Sequence, residues 1–145
     1  MNTINELMKR DHLRCDEIFI ALEQSIHKHQ WQEAIRLCAT FTASMEYHFK
    51  VEEEILFPAL LKKAPQVGMP VDVMLVEHEQ MRHLISQLAT SLDDMSKESA
   101  TGFAETLLVT MQQHNTKEER VLYAMADSTV PHALEMIGSM YSESA

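Results

Sequence analysis

His48-Phe49-Lys50-Val51-Glu52-Glu53-Glu54-Ile55-Leu56-Phe57 recurs 66 positions later as His114-Asn115-Thr116-Lys117-Glu118-Glu119-Arg120-Val121-Leu122-Tyr123. In each copy a glutamate follows a histidine by four positions, one helical turn, so both side chains leave one face of a helix in the same layer. The same offset of 66 carries His12 onto His78 and Asp11 onto Glu77. A helical hairpin used twice, related by a pseudo-two-fold axis, would bring His12, His48, Glu52, His78, His114 and Glu118 together at the centre of a bundle.

Four segments around these residues show apolar positions three and four apart. The first seam is Met8, His12, Cys15, Phe19, Leu22 and Ile26, and the second is Cys38, Phe41, Met45, His48, Glu52 and Ile55. The third is Val71, Met74, His78, Met81, Ile85, Leu88 and Leu92; the fourth is Phe103, Leu107, Met111, His114, Glu118, Val121 and Met125. Thr3 with Glu6 opens the first helix as a capping box, and His27, Lys28 and His29 suit its end near Lys28. The second is predicted from Trp31, kinking or ending near Pro58 and stopping before Pro65. The third has Pro70 at its first position and runs to about Asp93, and a polar loop to Ser99 leads to a fourth over Ala100 to Ala126. Thr129 and Pro131 read as the cap and first position of a short C-terminal helix whose Leu134, Ile137 and Met140 cover one end of the core. The predicted fold is all-α: an up-down-up-down four-helix bundle with a short C-terminal helix, one domain over residues 1–145.

Composition agrees with that architecture. The 145 residues contain 3 Gly and 4 Pro, too few for the turns of a sheet protein, with 46% hydrophobic and 23% charged residues. A formal charge of -10 disfavours nucleic acid and anionic membrane surfaces. No apolar run approaches the roughly 18 to 20 residues that span a bilayer, and Met1 to His12 has no signal-peptide core, so the expected location is cytoplasmic. Cys15 and Cys38 lack CxxC spacing and read as reduced, buried small hydrophobes.

Six titratable groups therefore stand where leucine is expected. Buried carboxylates near one another cannot all stay ionised without a compensating cation, and no lysine or arginine lies on the seams. Protonation or metal ions remain, and four imidazoles with two carboxylates form a nitrogen and oxygen set suited to iron, manganese or zinc. Two bridging carboxylates would hold two divalent ions with positive charge to spare, at which an oxygen or nitric oxide molecule could bind. A polar core network without metal is the alternative, and it requires a partner for every member. Glu53 and Glu119 either orient an imidazole or form a solvated helix face. Asp16 and its repeat-mate Arg82 either pair across the bundle or face water. The seam methionines fill the core or line a dry pocket for a gas.

The order His, His-x3-Glu, His, His-x3-Glu on successive helices resembles the hemerythrin-like (HHE cation-binding) family, from His12 to about Ala126. That resemblance implies two iron ions, one held by His12 and His48 and the other by His78 and His114, with Glu52 and Glu118 bridging. Ferritin-like di-iron sites instead use Glu-x-x-His, and no such pair is on these seams. Family members that carry oxygen reversibly have a fifth histidine on the third helix, and Met74 and Arg82 occupy its candidate positions here. His83 lies roughly 140° around the helix from His78, off the seam. The four-histidine, two-glutamate set resembles hemerythrin-like proteins implicated in iron-centre repair and in iron or oxygen sensing. Two functions follow from the resemblance: binding of oxygen or nitric oxide as sensor, scavenger or store, and a di-iron redox or repair activity that reduces nitric oxide or peroxide or donates iron.

Overall fold

The computed structural model describes residues 2–144, and among them there is no strand. Helix α1 spans Ile4–His27 and α2 spans Trp31–Val51. After α2 the chain continues through a π-helical turn, Glu52–Leu56, into α3, Phe57–Lys63. A 3-10 turn, Pro65–Val67, leads to α4, Gly68–Asp93. Helix α5, Lys97–Lys117, continues through a second π turn, Glu118–Leu122, into α6, Tyr123–Thr129, and α7 spans Ala133–Ser144. The four rods are thus α1, α2 with α3, α4, and α5 with α6; each packs against two neighbours, closing the bundle, while α7 lies across one end.

The two hairpin links are built alike. His29 and Met95 are repeat-mates, and both adopt the left-handed conformation at φ 57 and φ 54. Behind them Gln30 N–H donates to the Ser25 carbonyl at 2.9 Å and Ser96 N–H to the Ser91 carbonyl at 3.0 Å, which closes each helix by the same motif. Thr3 Oγ1 accepts from Glu6 N–H at 3.0 Å as expected, but Glu6 reaches back to Asn2 N–H at 3.1 Å rather than to Thr3. Asp127 of α6 accepts from the amides of Ile4 and Asn5, tying the start of the first rod to the end of the fourth.

Four boundaries differ from expectation. Helix α4 begins at Gly68, before Pro70. Helix α5 begins at Lys97, where Ser96 Oγ caps Ser99 N–H, so the preceding loop is shorter than Asp93 to Ser99. The fourth rod runs on to Thr129 because no breaker precedes Pro131; Val130, before that proline, leaves the helical region at φ -132, and α7 starts only at Ala133. Ile137 is nevertheless buried and Leu134 and Met140 pack on the same cluster, so α7 does cover the end of the core.

The seams of the first and third rods are buried as read. In the second and fourth rods they shift by one residue at the π turns. Phe57 N–H donates to the Glu52 carbonyl and Tyr123 N–H to the Glu118 carbonyl, five residues back instead of four. Ile55 and Met125 are consequently only half-buried and Val121 is exposed, while Leu56, Phe57, Leu60, Leu122, Tyr123 and Ala126 take the core. Pro58 does not account for the turn, since its repeat-mate Ala124 follows the same π geometry. Phe103 is also half-buried, with Ala104 in its place. One apolar cluster around Phe19, Phe41, Leu88 and Leu107 fills the end with the hairpin links, and a second around Met8, Leu56, Met74, Leu122 and Ile137 fills the other. The six titratable groups lie between the two.

Candidate metal centre

All six predicted residues meet in this layer, and none is more than 4% exposed. The Nε2 atoms of the four histidines face inward. His12 Nε2 lies 3.0 Å from His48 Nε2 and 3.1 Å from Glu118 Oε1. His78 Nε2 is 3.0 Å from Glu52 Oε1, and His114 Nε2 is 3.2 Å from Glu118 Oε1. Donor atoms of Glu52, His78, His114 and Glu118 fall within 4.8 Å of one another, as do those of His12, His48 and Glu118.

Each Nδ1 faces outward onto its own carboxylate. His12 meets Glu119 at 2.7 Å, His48 meets Asp11 at 2.8 Å, His78 meets Glu53 at 2.6 Å and His114 meets Glu77 at 2.8 Å. These pairings obey the 66-residue offset in every case. An Nδ1–H held by a carboxylate fixes the tautomer that leaves Nε2 with a free lone pair, which is the arrangement of a metal-ligating histidine. Cations anchor the outer carboxylates in turn: Arg14 on Asp11, Arg82 on Glu53 and Lys117 on Glu77.

The electrostatics of the layer are set by its histidines and carboxylates acting on one another. Burial alone would lower His12, His48 and His114, but His12 is raised by its bonds to Glu118 and Glu119, His48 is raised well above its usual range by Glu52 and other acceptors, and His114 is raised to about 9 by Glu118. Burial would raise Glu118, yet His114 and the surrounding hydrogen bonds hold it well below the ordinary carboxylate range. Asp11 is likewise held at about 2, burial being outweighed by His48 and Arg14.

Metal is the better partner for this set. Two donors about 2.1 Å from one ion and a right angle apart are separated by about 3.0 Å, the spacing seen here. Glu52 Oε1, Glu118 Oε2, His78 Nε2 and His114 Nε2 are buried and without hydrogen-bond partners; among the described residues only Asn5 Oδ1 shares that state. His78 Nε2 and Glu52 Oε1 are close but lack hydrogen-bond alignment, so a proton between them does not satisfy either. A family model, the hemerythrin HHE cation-binding domain, matches residues 3–126. The chain belongs to this family. Comparison with curated proteins and with solved structures yields no match.

Within this hemerythrin domain the positions open to a fifth histidine hold other groups. Met74 is buried in the apolar cluster beside its mate Met8. Arg82 turns outward to Glu46, Glu53 and Glu79 and lies 4.9 Å over the Phe49 ring, so its partners are these glutamates and not Asp16. His83 is exposed and away from the centre.

Two tyrosines escaped the sequence reading. Tyr123 is fully buried with its hydroxyl among the inner donors, where burial and the carboxylates of Glu118 and Glu52 push the phenol well above its usual range. Its repeat-mate is Phe57, and a comparison of mates for gained oxygen atoms would have found it. Tyr141 of α7 donates to Asp11 Oδ2 at 2.9 Å, supporting the carboxylate that orients His48. The reading of α7 as an apolar cover left no signal for that role. Among the described residues no helix is long and apolar enough to cross a membrane.

Proposed function

We propose that His12, His48, Glu52, His78, His114 and Glu118 hold two iron ions, with both glutamates bridging, and that the centre reversibly binds oxygen or nitric oxide as a sensor, scavenger or store. The supporting observation is the set of four buried, unpartnered donor atoms on Glu52, Glu118, His78 and His114. When bound, a ferrous pair supplies electrons and open coordination positions for a diatomic ligand. The protein's part is to hold and shelter that pair. The outer carboxylates keep each imidazole turned inward, and the apolar clusters on both sides exclude water. Met8, Met45, Met74, Met81 and Met111 are all buried on these seams, a wall with no polar group to compete for the ligand. Cys15 and Cys38 are buried and free, in keeping with a cytoplasmic, reducing setting.

Met74 and Arg82 in place of a further histidine favour a second reading, a redox or repair activity on nitric oxide or peroxide, because fewer protein ligands leave more positions for reaction. Optical titration of the anaerobic ferrous protein separates the two. A spectral change on adding oxygen that reverses under argon supports binding. Immediate, irreversible oxidation of both ions overturns reversible oxygen binding. Metal analysis of the purified protein should find about two irons per chain, by analogy with carboxylate-bridged bundles.

A further inference from the structure

The duplication is close at the six inner donors and at the four outer carboxylates, but one half adds an oxygen atom to the inner layer that the other lacks. Tyr123 stands where the other half has Phe57. The two rings occupy related places: Tyr123 lies 5.6 Å from His12, centroid to centroid, and Phe57 lies 6.0 Å from His78. They differ by one oxygen atom, and that atom sits inside the donor set. Tyr123 Oη is 2.6 Å from Glu52 Oε2, 2.9 Å from Glu118 Oε1, 3.1 Å from His12 Nε2 and 3.2 Å from His48 Nε2.

A phenol has one proton to donate. It therefore satisfies one of the two carboxylates, while the other faces the same oxygen without a proton between them. Four donor atoms gathered around a fifth at 2.6 to 3.2 Å is the spacing of ligands that share an ion. On the opposite side Phe57 and Phe49 flank His78, Phe49 stacking on it at 4.0 Å, and neither ring brings a donor. The unpartnered nitrogens, His78 Nε2 and His114 Nε2, are on that side.

Resting on the di-iron reading above, we infer that Tyr123 is a seventh protein ligand, bound through its phenol oxygen to the ion held by His12 and His48, and that an exogenous ligand is directed to the ion held by His78 and His114. On binding, the O–H bond breaks, an oxygen–metal bond forms and one proton passes to the buffer; no electron moves. The pseudo-symmetric site thus becomes two unlike metal positions, one closed by a phenolate and one open beneath Phe57.

Iron-loaded protein in the diferric state should show a visible phenolate-to-iron charge-transfer band. Resonance Raman excitation in that band should give tyrosine ring modes that shift when the protein is made with ring-deuterated tyrosine. Tyr123→Phe should lose the band and keep two irons per chain, whereas Tyr141→Phe should keep both. Azide, as a small anionic probe, should bind once per wild-type chain and at least tenfold more weakly to Phe57→Tyr, which places a phenol on the open side. Two irons per chain without tyrosine modes, or azide binding unchanged in Phe57→Tyr, overturns the inference and leaves the di-iron reading standing. Absence of iron from the wild-type protein overturns the di-iron reading itself.

Discussion

Glu119 Oε2 lies 2.7 Å from His12 Nδ1, although the two residues are separated by most of the chain. Their repeat-mates Glu53 and His78 meet at 2.6 Å. Both glutamates are partly exposed, so their removal leaves the core intact while freeing an imidazole to rotate or change tautomer. Glu119→Ala should lower metal affinity about 10- to 100-fold, and Glu53→Ala should do the same on the other half. Chelator competition measures this, with circular dichroism confirming an unchanged helix content. Wild-type affinity in both variants would reduce these glutamates to a solvated face.

Glu52 and Glu118 are fully buried, and their oxygens reach histidines from both halves. Shortening either to alanine removes a negative charge that two ions would share. Glu52→Ala or Glu118→Ala should each lose most of the metal, read by metal analysis after gel filtration, and full retention would count against bridging. The inner and outer glutamates are thereby separable: graded weakening for Glu53 and Glu119, near-complete loss for Glu52 and Glu118.

Ions that bind only the folded chain stabilise it in proportion to the logarithm of their excess over the dissociation constant, about 4 kcal/mol at a thousandfold excess. For a chain of this size each kcal/mol moves the melting temperature by roughly 2 to 4 °C. Anaerobic chelation should therefore lower the midpoint by about 10 °C, measured by circular dichroism. Equal midpoints with and without metal would mean that the centre binds weakly or not at all.

The pH dependence of the two forms should have opposite signs. His114 is raised from its ordinary value of 6.5 to about 9 by Glu118 and Glu77, against the effect of burial. Its charged form stabilises the metal-free fold fully below pH 6.5, and that contribution is lost as pH rises through about 9. Protons and metal compete for the same nitrogen, so metal affinity should tighten over this window. Urea unfolding of metal-free protein should give a stability that falls from pH 6.5 to 9, while chelator competition gives a rising affinity. A metal-free stability that rises with pH would contradict the proposed protonation.

How far the chain could be read ahead of its structure follows from what repeats. His12, His48, Glu52, His78, His114 and Glu118 were legible because one offset relates them and because charge on an apolar seam demands an explanation. The outer carboxylates were half-legible: Asp11 and Glu77 repeat, as do Glu53 and Glu119, but adjacent glutamates equally suit a wet surface. The π turns were not legible, since a 3.6-residue period admits Ile55 and Val121 to the core and nothing in either stretch announces a five-residue hydrogen bond. That single added residue is what turns Tyr123 inward. An aromatic residue beside an apolar seam looks like packing until its hydroxyl is seen among four donors.

Met95 and His29 close their helices in the left-handed region without being glycine, which costs an L-residue roughly 1 to 2 kcal/mol. Met95 is 63% exposed, so its side chain contributes little packing to offset that strain. Met95→Gly should relieve it and raise stability by about 0.5 to 1 kcal/mol, after the greater entropy that glycine loses on folding. His29→Gly should gain less, because its ring meets Trp31 edge-on at 6.0 Å and that contact disappears. The two links are at the end of the bundle away from α7, so metal content should be unchanged in both variants. Urea midpoints of the two glycine variants, compared with wild type at equal metal loading, test the order; a loss of stability in Met95→Gly would show that the left-handed turn carries no strain to relieve.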